Sequence, residues 1–420
     1  MPTSDQFMFL TSFKGIYFYD YYFFIISVYF LQNTSLKFFK ELFLENKFLI
    51  SLLSLLIIIQ TSLIYIDNIQ FNKYLLKDFR PFILFFSVFI FIVTIKNINI
   101  KIDQILNVLL FTFIIKIIFF IIIFLINPLA DPFYQNYLFR YRDGTTYVAA
   151  LLLLIYLFKD TTLLNYVSKS YLNLLILLSI ILVLIANLRI LLPAILFAYL
   201  FIYKTSSKNA IIKVSCTVLY VGAFMGHSFF LPKIQYNLHG KEKIELRIKN
   251  LEERKLSTKR INQEKKILKK GYQATRYNSL FNKIGQQLKS RFSPAMKHLN
   301  NLNAKSIIIG NGIATTFKIP SFSYRGLDPN LNKIDSFYLT QFIKYGFVGL
   351  LLTLILFKNS ICNYITDNKL KLSIISFYLI IMLVNSVLYQ PGTIVHLALL
   401  NLIILSINQQ NIRGKEPTEE

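Results

Sequence analysis

The chain has 420 residues, of which 55% are hydrophobic, a mean hydropathy of +0.51 and a formal net charge of +25. A soluble domain cannot cover that much apolar surface and keep a polar shell, so the composition excludes one and makes the bilayer the solvent. A span needs about 20 apolar residues to cross a hydrocarbon core of about 30 Å, and the apolar runs predict an all-α polytopic membrane protein of about eleven (10–12) transmembrane helices.

In chain order, the N-terminal stretch MPTSDQFMFLTSFKG lacks a basic region and a small-residue cleavage site, so no signal peptide is expected. Spans are predicted over 16–31, 48–66, 81–95, 105–126, 145–158, 171–187, 190–203 and 210–226, which form a first block over 1–226. A large basic loop follows over 227–334. The predicted spans 336–357, 372–388 and 392–408 make a second block over 335–408, and residues 409–420 form a polar tail. Runs such as 145–158 and 190–203 are short, and flanking residues must complete the crossing.

The loop holds 22 Lys and Arg against 6 Asp and Glu. Such a surface suits an anionic partner: phosphate, diphosphate, acidic lipid or acidic polysaccharide. Nucleic acid is not expected, because no nucleic-acid motif accompanies the charge and the flanking spans hold the loop at a membrane face. Orientation follows from the short loops. The face opposite the large loop collects fifteen Lys and Arg, whereas the loop's own face keeps seven elsewhere: Lys14, Lys73, Lys77, Arg80, Arg140, Arg142 and Arg189. The large loop is therefore expected outside the cytoplasm, with the polar tail inside. Within it, Lys241 to Lys270 has no Gly or Pro and places Ile244, Ile248 and Leu251 on one face, which predicts a long solvated helix that Gly271 ends.

Cys216 and Cys362 do not support a disulfide framework, and the four histidines show no metal-ligand spacing, so no metal site is expected. There is no GxxxxGK[ST] phosphate loop and no DxD pair. What remains for chemistry is arginine and carboxylate. Arg189 falls in ANLRILLPAIL, at a tight turn between two apolar runs; Arg140 and Arg142 fall in LFRYRDGTTYVAA just before a span; Arg291 falls in LKSRFSPAMKHL within the loop. A guanidinium fork binds phosphate oxygens in pairs and keeps its charge, so several converging on one outer cavity suit a diphosphate. The alternative for each is an arginine reaching to lipid phosphate.

The segment DSFYLTQFIKYGFVGLLLTLILF, from Asp335 to Phe357, leads from the loop into the next span. It resembles the O-antigen polymerase and ligase superfamily of bacterial membrane glycosyltransferases, in which a late span opens with H or D, then x-x-Y-L, then Y-G-x-x-G. Asp335, Tyr338, Leu339, Tyr345, Gly346 and Gly349 meet that pattern. RYRDGTTYVAA, NLRILLPA and SRFSPAMKHLNNLNAKSIIIGNGI follow the family in order, the last supplying Arg291, Gly310 and Gly312, and the resemblance covers about residues 40 to 408. The glycines have a plainer reading as close-packing and turn positions.

The resemblance implies transfer of an oligosaccharide from a polyprenyl diphosphate carrier to a sugar hydroxyl at the outer face of the inner membrane, with the large loop in the periplasm and no cofactor. It assigns Asp335, Arg189 and Arg291 to catalysis, Asp335 as base and the arginines as stabilisers of the leaving diphosphate. Arg140, Arg142, Arg325 and Tyr338 are assigned to substrate binding. The implied partners are the polyprenyl-diphosphate-linked oligosaccharide and membrane lipids, with a chain-length regulator as a candidate. Ligases of the family carry histidine where this chain has Asp335, which favours the polymerase branch. An O-antigen ligase, a transporter or flippase of an anionic lipid-linked saccharide, and a polysaccharide-binding scaffold are the other readings. An aspartate before a serine at a helix start also reads as a helix cap.

Overall fold

A computed structural model of the chain describes residues 12–13, 16–17, 47–66, 102–126, 144–158, 168–186, 191–200, 292–318, 330–362 and 368–384, with single positions between them that include Leu75, Asp78, Ile403 and several between 242 and 265. These residues are mostly helical. Strands β1 (Ser12–Phe13) and β2 (Ile16–Tyr17) pair antiparallel, so the run expected to cross from residue 16 begins with a strand. The helices are α1 (Lys47–Ile66), α2 (Ile102–Ile126), α3 (Gly144–Phe158), α4 (Lys169–Ala186) and α5 (Leu191–Leu200), each within a few residues of an expected span. Then come a helical stretch over 292–299, the short α6 (Ala304–Ile309), strands β3 (Phe317–Lys318) and β4 (Asn330–Leu331), α7 (Phe337–Cys362) and α8 (Asn368–Val384). The spans expected over 81–95, 210–226 and 392–408 lie outside the described helices.

Among the described residues two helices, within α2 and α7, are long and apolar enough to cross a membrane by length and composition. The side chains of α2 are sorted the wrong way round for water. Val108, Phe111, Ile115, Ile118 and Ile122, at helical spacing, are exposed, whereas Lys116 is only 4% exposed among Leu109, Phe113 and Phe120. An aqueous helix would turn Lys116 outward and the stripe inward. In hydrocarbon the apolar stripe costs nothing and the ammonium must point inward. Several hydroxyls in the apolar helices are satisfied locally: those of Ser51, Thr61, Ser62, Thr112, Ser179 and Ser376 donate to carbonyls one turn back.

Helix α3 is the centre of the bundle, with every residue from Thr146 to Ile155 buried. It packs against α4, α5 and α8, and α2 closes on α4. Ala149, Ala150, Ala194 and Ala198 are fully buried, and small side chains let these backbones approach. Helix α7 lies between α8 and α1, and α6 packs against it.

Two expectations fail here for physical reasons. The first is the straight span over 336–357. Gly346, inside α7, has φ 66° and ψ −170°, which breaks the helix into arms 337–345 and 347–362. Thr353 donates to Gln341 across the break at 3.4 Å, although a straight helix would hold residues 12 apart at about 18 Å. The arms therefore turn sharply back on each other, and only 347–362, about 24 Å long, runs on as a span. The second is the single long helix over Lys241 to Lys270. Its described positions are helical, but Lys265 pairs with Glu252 at 2.8 Å, which residues about 20 Å apart along one helix cannot do. The described positions on either side of that contact therefore do not lie along one straight helix; Lys249 and Glu253 pair within one turn, and Ile248 is buried.

Candidate functional site

The first arm of α7 begins at a built turn. Ser336 caps it: its backbone carbonyl accepts from Thr340 N–H at 3.1 Å and its hydroxyl accepts from Leu339 N–H at 3.4 Å. Thr340 in turn ties the turn down, donating to the Ser336 carbonyl at 2.7 Å and accepting from Ile334 N–H at 3.2 Å. Asp335, one residue outside the cap, is exposed, while Ile334, Ser336 and Phe337 around it are buried. The cap is thus Ser336, not Asp335, and the carboxylate is held on a rigid turn facing out of it. Tyr338 is half-buried, and its hydroxyl donates to the carbonyl of Leu379 in α8 at 3.0 Å. This contact fixes the arm against α8.

At the other end of the arm, the break at Gly346 strips carbonyls of their helical partners. The turn after α6 replaces them. Asn311 N–H donates to the Ile343 carbonyl and Gly312 N–H to the Lys344 carbonyl, both at 2.9 Å. Such close contact requires two glycines facing each other. A Cβ on Gly346 would run into the backbone of Ile308 and Ile309, and one on Gly310 into the backbone of Lys344 and Tyr345; both glycines have positive φ. Helix α6 is aimed at the break by its own cap, the Asn303 side chain accepting from Ser306 N–H and from the Ser306 hydroxyl at 2.8 Å each. Ala295, Phe317, Ile334 and Ile343 form an apolar core between the 292–299 stretch, the β3–β4 pair and the arm. His298 adds a contact to the Thr316 carbonyl at 3.1 Å and an edge-on contact to Phe317.

A buried ion pair locks this unit to the rest of the bundle. Lys344 and Asp78 meet at 2.5 Å, both side chains fully buried. The remaining capacity of Asp78 is used too: Oδ2 accepts from Ala314 N–H at 2.8 Å and Oδ1 from the Asn332 amide at 3.4 Å. Ala314 has φ 71°, so its N–H reaches the carboxylate from a backbone shape that alanine adopts only under constraint. One carboxylate thereby gathers the 310–315 turn, the strand before the arm, and the arm itself. Lys344 also lies 6.0 Å from the centre of the Phe317 ring.

Of the residues singled out from sequence, the structure brings Asp335, Tyr338, Gly310, Gly312, Gly346 and Gly349 into one unit; Arg140, Arg142, Arg189, Arg291 and Arg325 lie outside the described residues. Sequence reasoning missed Asp78 and Lys344. A signal for Lys344 was present: it is the one charge in FYLTQFIKYGFVGLLLTLILF, and an intramembrane charge implies a partner. Nothing local marks Asp78 as that partner, because the two are 266 residues apart. Among the described residues no three His, Cys, Asp or Glu are grouped to hold a metal ion.

Nothing among curated proteins and nothing among solved structures matches the chain. Residues 265–413 match a family of unknown function, DUF6369, a range that takes in the 310–312 turn, the broken helix and α8 but not Asp78.

Proposed function

We propose that the chain is a multi-pass bacterial inner-membrane protein of about eleven spans, with residues 227–334 in the periplasm. In this reading it is a surface-polysaccharide polymerase of the O-antigen type. The observation that carries it is the seating of the 310–312 turn on the break at Gly346, because the two segments that resemble the polymerase and ligase superfamily are thereby one rigid unit. Asp335 stands on the rim of that unit, exposed, on a turn that Ser336 and Thr340 hold. In the reaction, a sugar hydroxyl attacks the anomeric carbon of a polyprenyl-diphosphate-linked oligosaccharide. The glycosyl bond to the diphosphate breaks with inversion, the hydroxyl proton passes to the Asp335 carboxylate, and the diphosphate leaves with its charge held by arginines. Arg189 and Arg291 take that role, with Arg140, Arg142 and Arg325 binding the donor. The protein needs no cofactor for this chemistry.

The test is elongation by the purified protein in proteoliposomes supplied with a lipid-diphosphate oligosaccharide, read as a product ladder on a gel. Replacing both Arg189 and Arg291 with lysine keeps charge and loses the fork, so elongation should fall by an order of magnitude or more. An unchanged ladder removes the two arginines from the mechanism. Product on a lipid A core acceptor, with no ladder, would indicate the ligase.

A transporter of an anionic lipid-linked saccharide is the second reading, favoured by the broken α7, since interrupted helices carry binding sites in many transporters. Against it, the carbonyls freed at Ile343 and Lys344 are already occupied by the 311–312 turn, and Lys344 is neutralised by Asp78. Movement of labelled carrier across sealed proteoliposomes without elongation would select it.

A further inference from the structure

We propose that α6 faces lipid and docks an anionic phospholipid, whose acyl chains lie over Ile307, Ile308, Phe347 and Leu351 and whose phosphate meets Lys305. Helix α6 turns the wrong side chains outward for water. Ser306 and the following Gly310, four apart, are buried on the side that packs against α7, whereas Ile307 and Ile308 are 46% and 54% exposed. The buried side is small because backbone meets backbone there: a Cβ on Gly346 would run into Ile308 and Ile309, and one on Gly310 into Lys344 and Tyr345. The isoleucines on the opposite side need an apolar cover of another kind.

Hydrocarbon is that cover, because the face adjoins a span. Ile308 abuts Gly346, and the arm that starts after it exposes Phe347 and Leu351, one turn apart. From Phe347 to Phe357 the arm carries no charge, and Lys358 is exposed at the far end. That stretch is about 16 Å long against a hydrocarbon core of about 30 Å, and the two isoleucines extend its apolar surface at the Gly346 end. The charges supply the head-group chemistry. Lys305 is exposed and lies three residues before Ile308 on the same face, so its methylenes can run along the isoleucine while the ammonium reaches a phosphate. Lys297 and Lys318 are exposed as well, and residues 292–318 contain no Asp or Glu, so the surroundings favour an anion. A second copy docked on this face about a twofold axis would set lysine against lysine, which lipid does not.

The inference rests on the chain's being membrane-spanning and not on the polymerase chemistry. Because the chain has no tryptophan, Ile308→Trp is a unique fluorescent reporter, with Ile307→Trp in its place if the first does not accumulate. The full chain is reconstituted in vesicles of phosphatidylcholine with a minor fraction of phosphatidylglycerol, and each lipid is brominated in turn. Brominated phosphatidylglycerol should quench the reporter about fivefold more per lipid than brominated phosphatidylcholine, and Lys305→Gln should bring that ratio toward one. Equal quenching by the two lipids, or a ratio that Lys305→Gln leaves unchanged, would overturn the head-group site. Quenching by aqueous iodide and by neither lipid would put α6 in water, and protection from all three would mean that a second copy or another protein covers it; either result overturns the proposal. Phe347→Trp and Ile118→Trp, at exposed positions of α7 and α2, are the controls. If brominated lipid quenches neither, the membrane reading itself fails and the proposal with it. Selective quenching at α6 in a protein that elongates nothing would leave the proposal standing and the polymerase reading overturned.

Discussion

Asp335 and Ser336 are neighbours with separable duties. The cap belongs to Ser336, so Ser336→Ala should cost about 1 kcal/mol of stability, seen as a lower melting temperature in detergent. Asp335→Asn keeps size and polarity but cannot take a proton. On the proposed mechanism, polymer formation should fall roughly 100-fold at unchanged membrane abundance, measured by product length on a gel with an epitope tag for quantity. Full-length polymer from Asp335→Asn would remove this carboxylate from the chemistry. The Asp78–Lys344 pair obeys a different rule. Removing one partner leaves a buried charge uncompensated, so Asp78→Asn or Lys344→Met alone should destabilise by about 3–5 kcal/mol. Together they should recover most of that, because asparagine still accepts from Ala314 N–H and neither charge remains. Thermal melts of the two single variants and the double variant decide it, and a double variant no better than the worse single one would mean the pair does more than neutralise itself. Asp335 was singled out by its place in a motif. Asp78 was not, because its meaning lies in a partner 266 residues away and in the backbone N–H of Ala314, which no side-chain pattern records.

At the scale of elements, hydropathy located helices well and bends badly. Expected spans 48–66, 105–126, 145–158 and 171–187 match α1 to α4 closely because apolar length alone determines where a helix can sit in hydrocarbon. The same criterion ran straight through Gly346, since an apolar run reads alike whether it continues or folds back. The Y-G-x-x-G pattern marked the glycine but not the reason for it, which is the backbone of Ile308 and Ile309 resting where a side chain would be. Gly346→Ala should therefore combine the strain of a positive φ, about 1–2 kcal/mol, with a backbone clash that no side-chain rotation relieves. Membrane abundance and melting temperature should both drop, and Gly310→Ala should behave alike because its Cβ meets the same contact from the other side. Normal abundance and melting of both variants would show that the turn is not seated on the break in the membrane.

For the whole molecule, the proposed topology puts the large loop outside the cytoplasm, on the ground of the charge asymmetry of the short loops. A reporter active only outside should work at Lys270 and fail at Thr366; the reverse pattern would put the proposed site on the wrong side for a translocated donor. Asp78 meets Ala314 and Asn332, far along the chain. That residues 292–318 and 330–334 pack against the first arm of α7 could not be read from the composition of the loop, which is dominated by charge at 241–270 and says nothing of the apolar core formed by Ala295, Phe317, Ile334 and Ile343.

The Asp78–Lys344 contact also sets an order of events during synthesis. Asp78 leaves the ribosome long before Lys344, and the N–H groups of Ala314 and Asn332's amide come only shortly ahead of it. Until they arrive the carboxylate has no partner that would let it leave water, so the segment around it waits at the membrane boundary. The N–H groups of Asn311 and Gly312 wait likewise for the carbonyls bared at Ile343 and Lys344. The early bundle is thus made before it is finished, and the last third of the chain completes it by docking onto Asp78.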